Sequence, residues 1–420
     1  MIKRRIDYRI SCILFFVYLC IPFFNAILSR IFAMFGLNED LAMWPIFAVI
    51  YGGYFYLCIV RRRLLVPDFW VILLSVILFF AITLIVHPEY EPWYARSDYG
   101  VLDYVLKPSA GIYIYLLIRL IDNPKQIKQT IKISAIPMYI YFGLFVIQAL
   151  RRGYWIDISN KGYERHVSYN LSLGYNVLIF TLPFLYDFFE KKRPYDLAGA
   201  AIGMFIMLVA GSRGPFLDIA IFVLLYVMLK IWNAKTRIVV MFAIIAGAAL
   251  LWFAYPYILQ GLAKLMDSLH VSSRFLTKLM AGTITDDNHR AEIWAAAIRM
   301  IRTRPLGYGA MGSRHVLYKY IYVAHPHDFF LEVLIDFGVV VGTVIILWLL
   351  RWTVRLFKMK DMDEWKAVFL IFFARACQLL VSLTFWHSIG LWGVLAVGVC
   401  MNRASKGWRK VWQIAERSMS

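Results

Sequence analysis

The chain has 420 residues, of which 61% are hydrophobic and 17% are charged, whereas an ordinary soluble domain has roughly 45–50% apolar and about 25% charged residues. This composition excludes an ordinary soluble protein and indicates an integral membrane protein. The formal net charge is +19, but the basic residues lie in short groups along the chain, which argues against nucleic-acid binding. All five cysteines lie in apolar runs without metal-type spacing, so we expect neither a disulfide framework nor a zinc site.

Transmembrane helices are the first elements that the sequence predicts. A helix needs about 20 mostly apolar residues to cross the roughly 30 Å hydrocarbon layer of a membrane. Twelve such runs lie near 9–29, 41–60, 69–86, 103–121, 133–150, 171–189, 197–212, 216–232, 238–259, 328–350, 367–387 and 388–402. No small-residue cleavage site follows the first run, so we expect a retained span rather than a signal peptide. We therefore predict an all-α integral membrane protein with about 12 transmembrane helices.

The distribution of lysine and arginine predicts the orientation of these spans, because short cytoplasmic loops carry an excess of both residues. Alternate connections contain dense basic groups, including Lys3–Arg5, Arg61–Arg63 and Lys191–Arg193, and the basic tail falls on the same side. Both termini are therefore predicted to be cytoplasmic. The predicted organisation has four parts: transmembrane helices 1 to 9 within 1–259, a long outer loop at 260–327, helices 10 to 12 within 328–402, and a basic cytoplasmic tail at 403–420.

The long outer loop is the region in which so hydrophobic a chain can build an exposed site. Apolar residues recur at helical spacing between Leu262 and Met280, which predicts a short amphipathic helix on the membrane face. A second short helix is predicted to start after Asp286–Asn288 and to end near Pro305. Its predicted apolar face has four members: Ile293, Trp294, Ile298 and Ile301. The alternative interpretation is a re-entrant lid with a purely structural role.

Three arginines on the predicted outer side are candidate binding residues. Arg213 lies in the turn Gly211–Pro215 between two short spans, and Arg274 and Arg290 lie in the long loop. The planar guanidinium group forms paired, charge-assisted hydrogen bonds with phosphate, so converging arginines favour a diphosphate ligand. The alternative is that these side chains only reach lipid headgroups. Four more arginines are predicted to be solvated or to face headgroups: Arg299, Arg302, Arg304 and Arg314.

Two histidines, His325 and His327, form a second candidate centre where the long loop returns to the membrane. An imidazole there can transfer protons near neutral pH, and Asp328 or Glu332 is predicted to orient its ring. The alternative role for a histidine at a helix start is a cap or a hydrogen-bonding residue. No H-E-x-x-H helix or Cys/His ligand set accompanies the pair, so we expect no metal. Arg165 is a further candidate in a shorter outer loop.

Several common catalytic signatures are missing from the sequence. It contains no G-x-S-x-G or P-loop motif, and its one D-x-D match, Asp361–Asp363, lies beside Lys358 and Lys360 in a connection predicted to be cytoplasmic. This weighs against a serine hydrolase, an ATPase and a metal-dependent nucleotide-sugar enzyme on the outer side. No cofactor is therefore predicted.

The chain resembles the family of bacterial inner-membrane proteins that comprises O-antigen ligases and O-antigen polymerases. Three features carry the resemblance: the Gly-Ser-Arg-Gly turn at 211–214, the long loop with Arg290-x-x-Ile-Trp and Arg304-Pro-Leu-Gly-Tyr-Gly, and the His-Pro-His-Asp-x-x-Leu segment with Gly338 eleven residues after His327. The resemblance covers mainly 197–350. The family pattern usually has Asn, Ser or Gln after the histidine, whereas this chain has Asp328, and Val341 stands where a small residue is expected.

The resemblance implies an inverting, metal-independent glycosyl transfer from an undecaprenyl-diphosphate-linked glycan at the periplasmic face of the inner membrane. It implies that His327 activates the acceptor hydroxyl or assists the transition state, and that three arginines bind the diphosphate: Arg213, Arg274 and Arg290. Three further residues are candidates for substrate contact: His325, Arg165 and Asp328. A diphosphate leaving group needs positive charge rather than a strong general acid, which agrees with the arginines.

The acceptor distinguishes two reactions within the family. In a ligase the acceptor is a sugar of the lipid A core, and in a polymerase it is another lipid-linked repeat unit. One dominant outer loop and the motif at its end favour the ligase, because a polymerase is expected to have two substantial outer loops. A polysaccharide transporter or flippase is the third hypothesis, but transporters usually have related halves, which this sequence does not show. The predicted partners are the lipid-linked donor, the lipid A core and membrane lipids.

Overall fold

The computed structural model describes residues 2–60, 66–96, 100–158, 164–167, 169–233, 290–321 and 323–419, together with the single residues 257, 260, 261, 264 and 268. The chain divides into two compact units, one formed by 1–130 with 287–420 and the other by 131–286. Three sequence predictions fall wholly or almost wholly outside the described residues: the ninth span at 238–259, the amphipathic helix within Leu262–Met280 and the caps at Asp286–Asn288.

The first unit begins with apolar helices joined by short turns. Its helices are α1 (Ile2–Leu19), α2 (Ile21–Met34), α3 (Met43–Phe55), α4 (Pro67–Val86), α5 (Glu91–Tyr94), α6 (Ile112–Ile121) and the start of α7 (Pro124–Arg152). Pro67 and Pro124 each begin a helix, where the missing N–H of proline costs no hydrogen bond.

The second unit contains the remainder of α7, an antiparallel hairpin and three helices. These elements are β1 (Trp155–Ile158), β2 (Glu164–Val167), α8 (Leu171–Lys191), α9 (Pro194–Val209) and α10 (Gly214–Asn233). In the hairpin, Trp155 pairs with Val167, and the sequence analysis did not predict these strands. A buried ion-pair cluster joins α7, α8 and α9, because Lys132 contacts Asp187 at 2.9 Å and also contacts Asp196.

The first unit then continues with five helices: α11 (Arg290–Thr303), α12 (Gly312–Ile321), α13 (Phe329–Phe357), α14 (Asp363–Ala376) and α15 (Ile389–Met419). All residues of α6 are buried, since α1 and α15 both pack against it. Arg119 of α6 donates hydrogen bonds to both carboxylate oxygens of Asp68, at 2.7 and 3.2 Å. This ion pair joins α6 to the first turn of α4.

The long helix α13 is interrupted at Gly338, which has φ +79° and ψ 168°. A break of this kind frees backbone groups that a regular helix would pair internally. Three backbone hydrogen bonds to the loop segment Pro305–Gly309 replace the lost ones: Tyr308 N to Ile335 O at 2.7 Å, Gly309 N to Asp336 O at 3.0 Å, and Val339 N to Pro305 O at 2.8 Å. A Cβ atom on residue 338 would overlap the backbone of Leu306. The close approach therefore requires glycine at this position.

Five helices in the described part of the chain are long and apolar enough to cross a membrane: Glu39–Ile59, Pro67–Val86, Pro124–Arg152, Leu171–Lys191 and Phe329–Phe357. The count rises to six if Arg9–Leu19 and Ile21–Met34, which meet at a bend of 71°, form one span. Three shorter apolar helices also coincide with predicted runs: Ile112–Ile121, Pro194–Val209 and Ile389–Ser405. The helical membrane architecture agrees with the sequence analysis, and the total of twelve spans stays a prediction.

The fourth predicted run, 103–121, is not one continuous helix. A π-helical turn at Leu102–Leu106 ends at Lys107, and α6 starts only at Ile112. The reason is local, because Pro108 disfavours helical backbone in the residue before it.

The apolar face predicted for α11 is partly wrong. The buried residues are Ile293, Ala296, Ala297 and Met300, whereas Trp294 is 37% exposed and Ile298 is 41% exposed. Both sets have helical spacing, so periodicity alone cannot choose between them. The packing decides, because small alanine side chains let α11 pack closely against α12 and α13.

Candidate functional site

The turn before α13 carries both histidines of the candidate site. Asp328 caps the helix, and its Oδ1 accepts a hydrogen bond from the Leu331 N–H at 2.9 Å. His327 precedes the cap with φ +54°, a left-handed conformation that costs a non-glycine residue on the order of 1–3 kcal/mol. The rings of His325 and His327 meet edge to face, with their centres 4.3 Å apart. The fold therefore holds two imidazoles together at the start of a membrane helix.

The two carboxylates predicted to orient a histidine ring have other partners. Asp328 is the helix cap, and Glu332 accepts hydrogen bonds from the Thr384 hydroxyl at 2.6 Å and the Phe385 N–H at 3.2 Å. Among the contacts that the structure describes, neither carboxylate bonds to a histidine ring, so the predicted ring-orienting role is wrong. Aspartate caps helices as well as asparagine and serine do, which explains why Asp328 fits after the histidine. A contact between Asp328 and substrate stays a prediction.

Both histidines are electrically neutral at physiological pH. Burial, followed by the charge of Arg290, lowers the pKa of His327 to about 4. Burial, His327 and Arg314 together lower the pKa of His325 well below its ordinary value. A neutral imidazole can accept a proton, as a general base must.

His325 has unused hydrogen-bonding capacity. Among the described residues, neither of its buried ring nitrogens has a hydrogen-bond partner. A buried polar atom without a partner costs about 1–3 kcal/mol. The imidazole of His325 is therefore a place where a ligand or a water molecule would be stabilised.

Arg290 lies at the first position of α11, close enough to His327 for its charge to lower the pKa of that ring. α11 is fixed against α12 and α13 by a buried apolar cluster: Ala296, Ala297, Met300, Leu317 and Ile335. The structure thus brings together two of the predicted site residues, a cation and a neutral base.

Arg314 is a site residue that the sequence analysis assigned wrongly to a solvated or headgroup-facing position. It is only 4% exposed, donates a hydrogen bond to the Tyr104 hydroxyl, and lies 4.8 Å from the centre of that ring. The physical reason is the packing of α12, which buries one helical face that includes Ser313, Arg314 and Leu317. Arg299 and Arg302 of α11 are exposed, as predicted.

Two carboxylates on α13, Glu332 and Asp336, are each only 2% exposed. Oδ2 of Asp336 accepts hydrogen bonds from the Trp386 indole at 2.9 Å and the Met311 N–H at 3.2 Å. Together with the Thr384 contact of Glu332, these bonds tie α13 to the turn before α15 and to the loop before α12. An ionisable residue inside an apolar span indicates function by default, so the sequence contained a signal for this pair.

Arg213, in the second unit, occupies the predicted turn between two helices. α9 ends at Val209 and α10 begins at Gly214, and Gly211 has φ +70°. A Cβ atom on residue 214 would overlap the hydroxyl of Tyr175, so this turn also depends on glycine. The predicted glycine-lined turn is confirmed, and the binding role of Arg213 stays a prediction.

The remaining predicted arginines are described only in part. Arg165 lies in β2 opposite Asp157, but its side chain is outside the described part of the structure. Arg274 is outside the described residues altogether. Their contacts with substrate stay predictions. Within the described ranges, no group of three or more His, Cys, Asp or Glu side chains is arranged to hold a metal ion.

An apolar groove of about 480 Å³ lies in the first unit, among α4, α13 and α15. Its lining begins at Phe329, two residues after His327, and extends along α13 to Trp352. Other lining residues include Phe79, Val333, Phe337 and Leu395. A groove with this lining suits the hydrocarbon chain of a lipid.

These features define a multi-pass membrane protein with a polar site at one end of an interrupted span and an apolar groove beside that span. Residues 198–347 match the family model described as O-antigen ligase. This segment, which contains Arg213, Arg290 and both histidines, is therefore similar to the O-antigen ligase family. No curated protein and no solved structure gave a significant match to the chain.

Proposed function

We propose that this protein is an O-antigen ligase that transfers a glycan from undecaprenyl diphosphate to a sugar of the lipid A core, with inversion and without a metal. The observation that carries the proposal is the neutral imidazole of His327 beside the cation Arg290, inside the segment that matches the family. A base next to a cation suits a reaction in which a hydroxyl group attacks and an anion leaves.

We place the site on the periplasmic side of the bacterial inner membrane, with both termini in the cytoplasm. The support comes from α13, which has His327 just before its start and Arg355, Lys358 and Lys360 at its other end. The positive-inside rule assigns the basic end to the cytoplasm. The histidine turn then faces the periplasm.

The lipid-linked donor fits the first unit in two parts. The apolar groove along α13 takes the prenyl chain, and the start of the groove at Phe329 brings the diphosphate to the histidine turn. Arg290 then binds the diphosphate with its planar fork. Arg213 and Arg274 keep the diphosphate-binding roles that the family resemblance implies.

The proposed chemistry is a single displacement. His327 accepts the proton of the acceptor hydroxyl, and the hydroxyl oxygen forms a bond with the anomeric carbon on the face opposite the diphosphate. The bond between that carbon and the diphosphate oxygen breaks, and its electron pair leaves on the diphosphate. Arginine stabilises the charge that develops there. One displacement inverts the anomeric configuration.

The test is glycan transfer by the purified protein in the presence of EDTA. One reaction contains undecaprenyl-diphosphate-linked O-antigen and lipid A core, and a second contains the lipid-linked donor alone. Glycosylated lipid A core is the expected product. Longer lipid-linked chains without core transfer would instead show a polymerase, and no product beside an active control enzyme would favour transport.

Substitution of Arg290 gives a sharper form of this test. We expect Arg290→Ala to abolish transfer and Arg290→Lys to lower kcat/KM about tenfold or more, because losing a charge-assisted hydrogen bond costs about 1.5–3 kcal/mol. The matched control is Arg302→Ala, since Arg302 is an exposed residue of the same helix. Near-normal transfer by Arg290→Ala, measured as initial rate, would remove Arg290 from the diphosphate site.

A further inference from the structure

Glu332 and Asp336 form a second group of charged residues on α13, separate from the histidine turn. Residues four positions apart lie on the same face of a helix, and both of these are almost completely buried. Like charges at this spacing repel each other, and the repulsion grows in a low-dielectric interior. Their joint burial therefore needs a specific compensation.

Among the described residues, Arg314 is a cation whose charge acts on both carboxylates. One guanidinium group balances one carboxylate, so the three side chains carry one surplus negative charge when Glu332 and Asp336 are both ionised. The charges of this cluster act on five other titratable side chains: Tyr90, Tyr94, Tyr104, His325 and His387. Each of these five is neutral in its ordinary state at pH 7. A surplus charge in a protein interior takes up a proton instead of remaining ionised.

The hydrogen bonds of the pair agree with a bound proton. Both oxygens of Glu332 and Oδ2 of Asp336 accept hydrogen bonds. Within the described residues, Oδ1 of Asp336 is buried without a partner. A protonated carboxyl group has an O–H donor in place of one acceptor. A proton shared by the pair therefore reduces the number of hydrogen bonds that the buried carboxylate oxygens must accept.

A second charge cluster in the chain provides a contrast. In the second unit, Asp187 and Asp196 are also buried, but Lys132 contacts both of them and Lys191 lies 3.6 Å from Asp187. Two cations balance two carboxylates there. Burial of two carboxylates alone therefore does not predict a bound proton. The prediction comes from comparing the number of cations with the number of carboxylates in each cluster.

We propose that Glu332 and Asp336 together bind one proton at neutral pH, which makes their cluster with Arg314 electrically neutral. The consequence for catalysis rests on the proposed function, in which His327 acts as a base. A neutral cluster offers no extra negative charge to stabilise a protonated His325, which is compatible with the uncharged histidine turn.

Infrared difference spectroscopy of the purified protein tests this proposal without reference to glycan transfer. At neutral pH we expect a carbonyl band of a protonated carboxyl group that shifts when H₂O is exchanged for D₂O. Glu332→Gln and Asp336→Asn should each remove the band, because the remaining carboxylate is then balanced by Arg314. Asp196→Asn is the matched control and should leave the band unchanged.

Two results would overturn the proposal. One is a wild-type spectrum without any protonated carboxyl band, a result that needs no variant to fold. The other is a band that persists in both variants, with their folding checked by thermal unfolding. If the band behaves as expected while the protein transfers no glycan, the proton site stands and the proposed function fails.

Discussion

The protonation state of His327 controls whether this residue can act as a base. Burial and Arg290 lower its pKa to about 4, so the ring in the free protein becomes charged only when the pH falls to that value. The pH dependence of kcat/KM reports ionisations of the free enzyme. We expect transfer to fall with decreasing pH around a midpoint near 4, measured as initial rate at low acceptor concentration.

An ordinary, solvent-exposed histidine would give a different profile. Its pKa of about 6.5 would place the acidic midpoint of the activity between pH 6 and 7, roughly two units or more above the expected one. Such a midpoint would contradict the assignment of a buried, neutral His327 as the base. Thermal unfolding over the same pH range is the control, because it separates loss of the base from loss of the fold.

Single residues also show what the sequence could predict about the site. Arg290, His325 and His327 were predicted from motifs and from the position of the loop, and the structure places them near one another. Arg314 could not be predicted, because its burial depends on which face of α12 packs inward. Asp336 was missed although an acidic residue in an apolar run is visible in the sequence and indicates a functional role.

At the scale of secondary-structure elements, the interruption of α13 makes a specific demand on residue 338. Gly338→Ala places a Cβ atom in the backbone of Leu306 and forces alanine into a positive-φ extended conformation that is essentially restricted to glycine, which alone costs about 1–3 kcal/mol. We expect a clear decrease in the temperature of thermal unfolding of the purified protein. Transfer activity should fall with it, because the Pro305–Gly309 segment leads into α12 and the histidine turn.

Gly143→Ala is the matched control for this substitution. Gly143 lies inside α7, and the space that a Cβ atom would occupy there is open. Alanine in a helix is more favourable than glycine by about 0.5–1 kcal/mol, so the unfolding temperature of this variant should be unchanged or slightly higher. Equal unfolding temperatures for the two variants would show that the break at Gly338 is not a strict requirement.

The elements also show where periodicity stops being informative. The range of α11 agrees with the predicted short helix that ends near Pro305, while the predicted caps at Asp286–Asn288 lie outside the described residues and the buried face was predicted only in part. Ile293 is buried and Ile301 packs against the buried cluster. Trp294 and Ile298 remain exposed, whereas the less hydrophobic Ala296 and Ala297 are buried. Only the close fit of alanine against α12 and α13 decides between them.

At the scale of the whole molecule, the proposed orientation can be tested by cysteine labelling. After replacement of the five native cysteines, Tyr320→Cys should react with a membrane-impermeant maleimide in intact spheroplasts, because Tyr320 is 76% exposed and lies in α12, next to the histidine turn on the proposed periplasmic side. Lys360→Cys, at the opposite end of α13, should react only after lysis. The reverse pattern would invert the proposed topology.

Hydropathy predicted most of the membrane-crossing elements but not their interruptions. Five predicted runs correspond to long apolar helices, since about 20 apolar residues suffice to identify a span. The bend of 71° between α1 and α2 and the break in α13 were not predicted. The bend lies at Pro22, in the first turn of α2, and proline breaks a continuous helix. The break in α13 depends on contacts with the distant segment Pro305–Gly309, which composition in a window cannot report.

The break in α13 has a consequence for how the protein is made. In lipid, backbone groups without partners cost several kcal/mol each, so the bonds from Pro305–Gly309 to both sides of the break stabilise this helix in the bilayer. The segment is encoded before the helix, and a ribosome therefore delivers it first. We therefore expect docking of the loop to accompany insertion of the span that follows it.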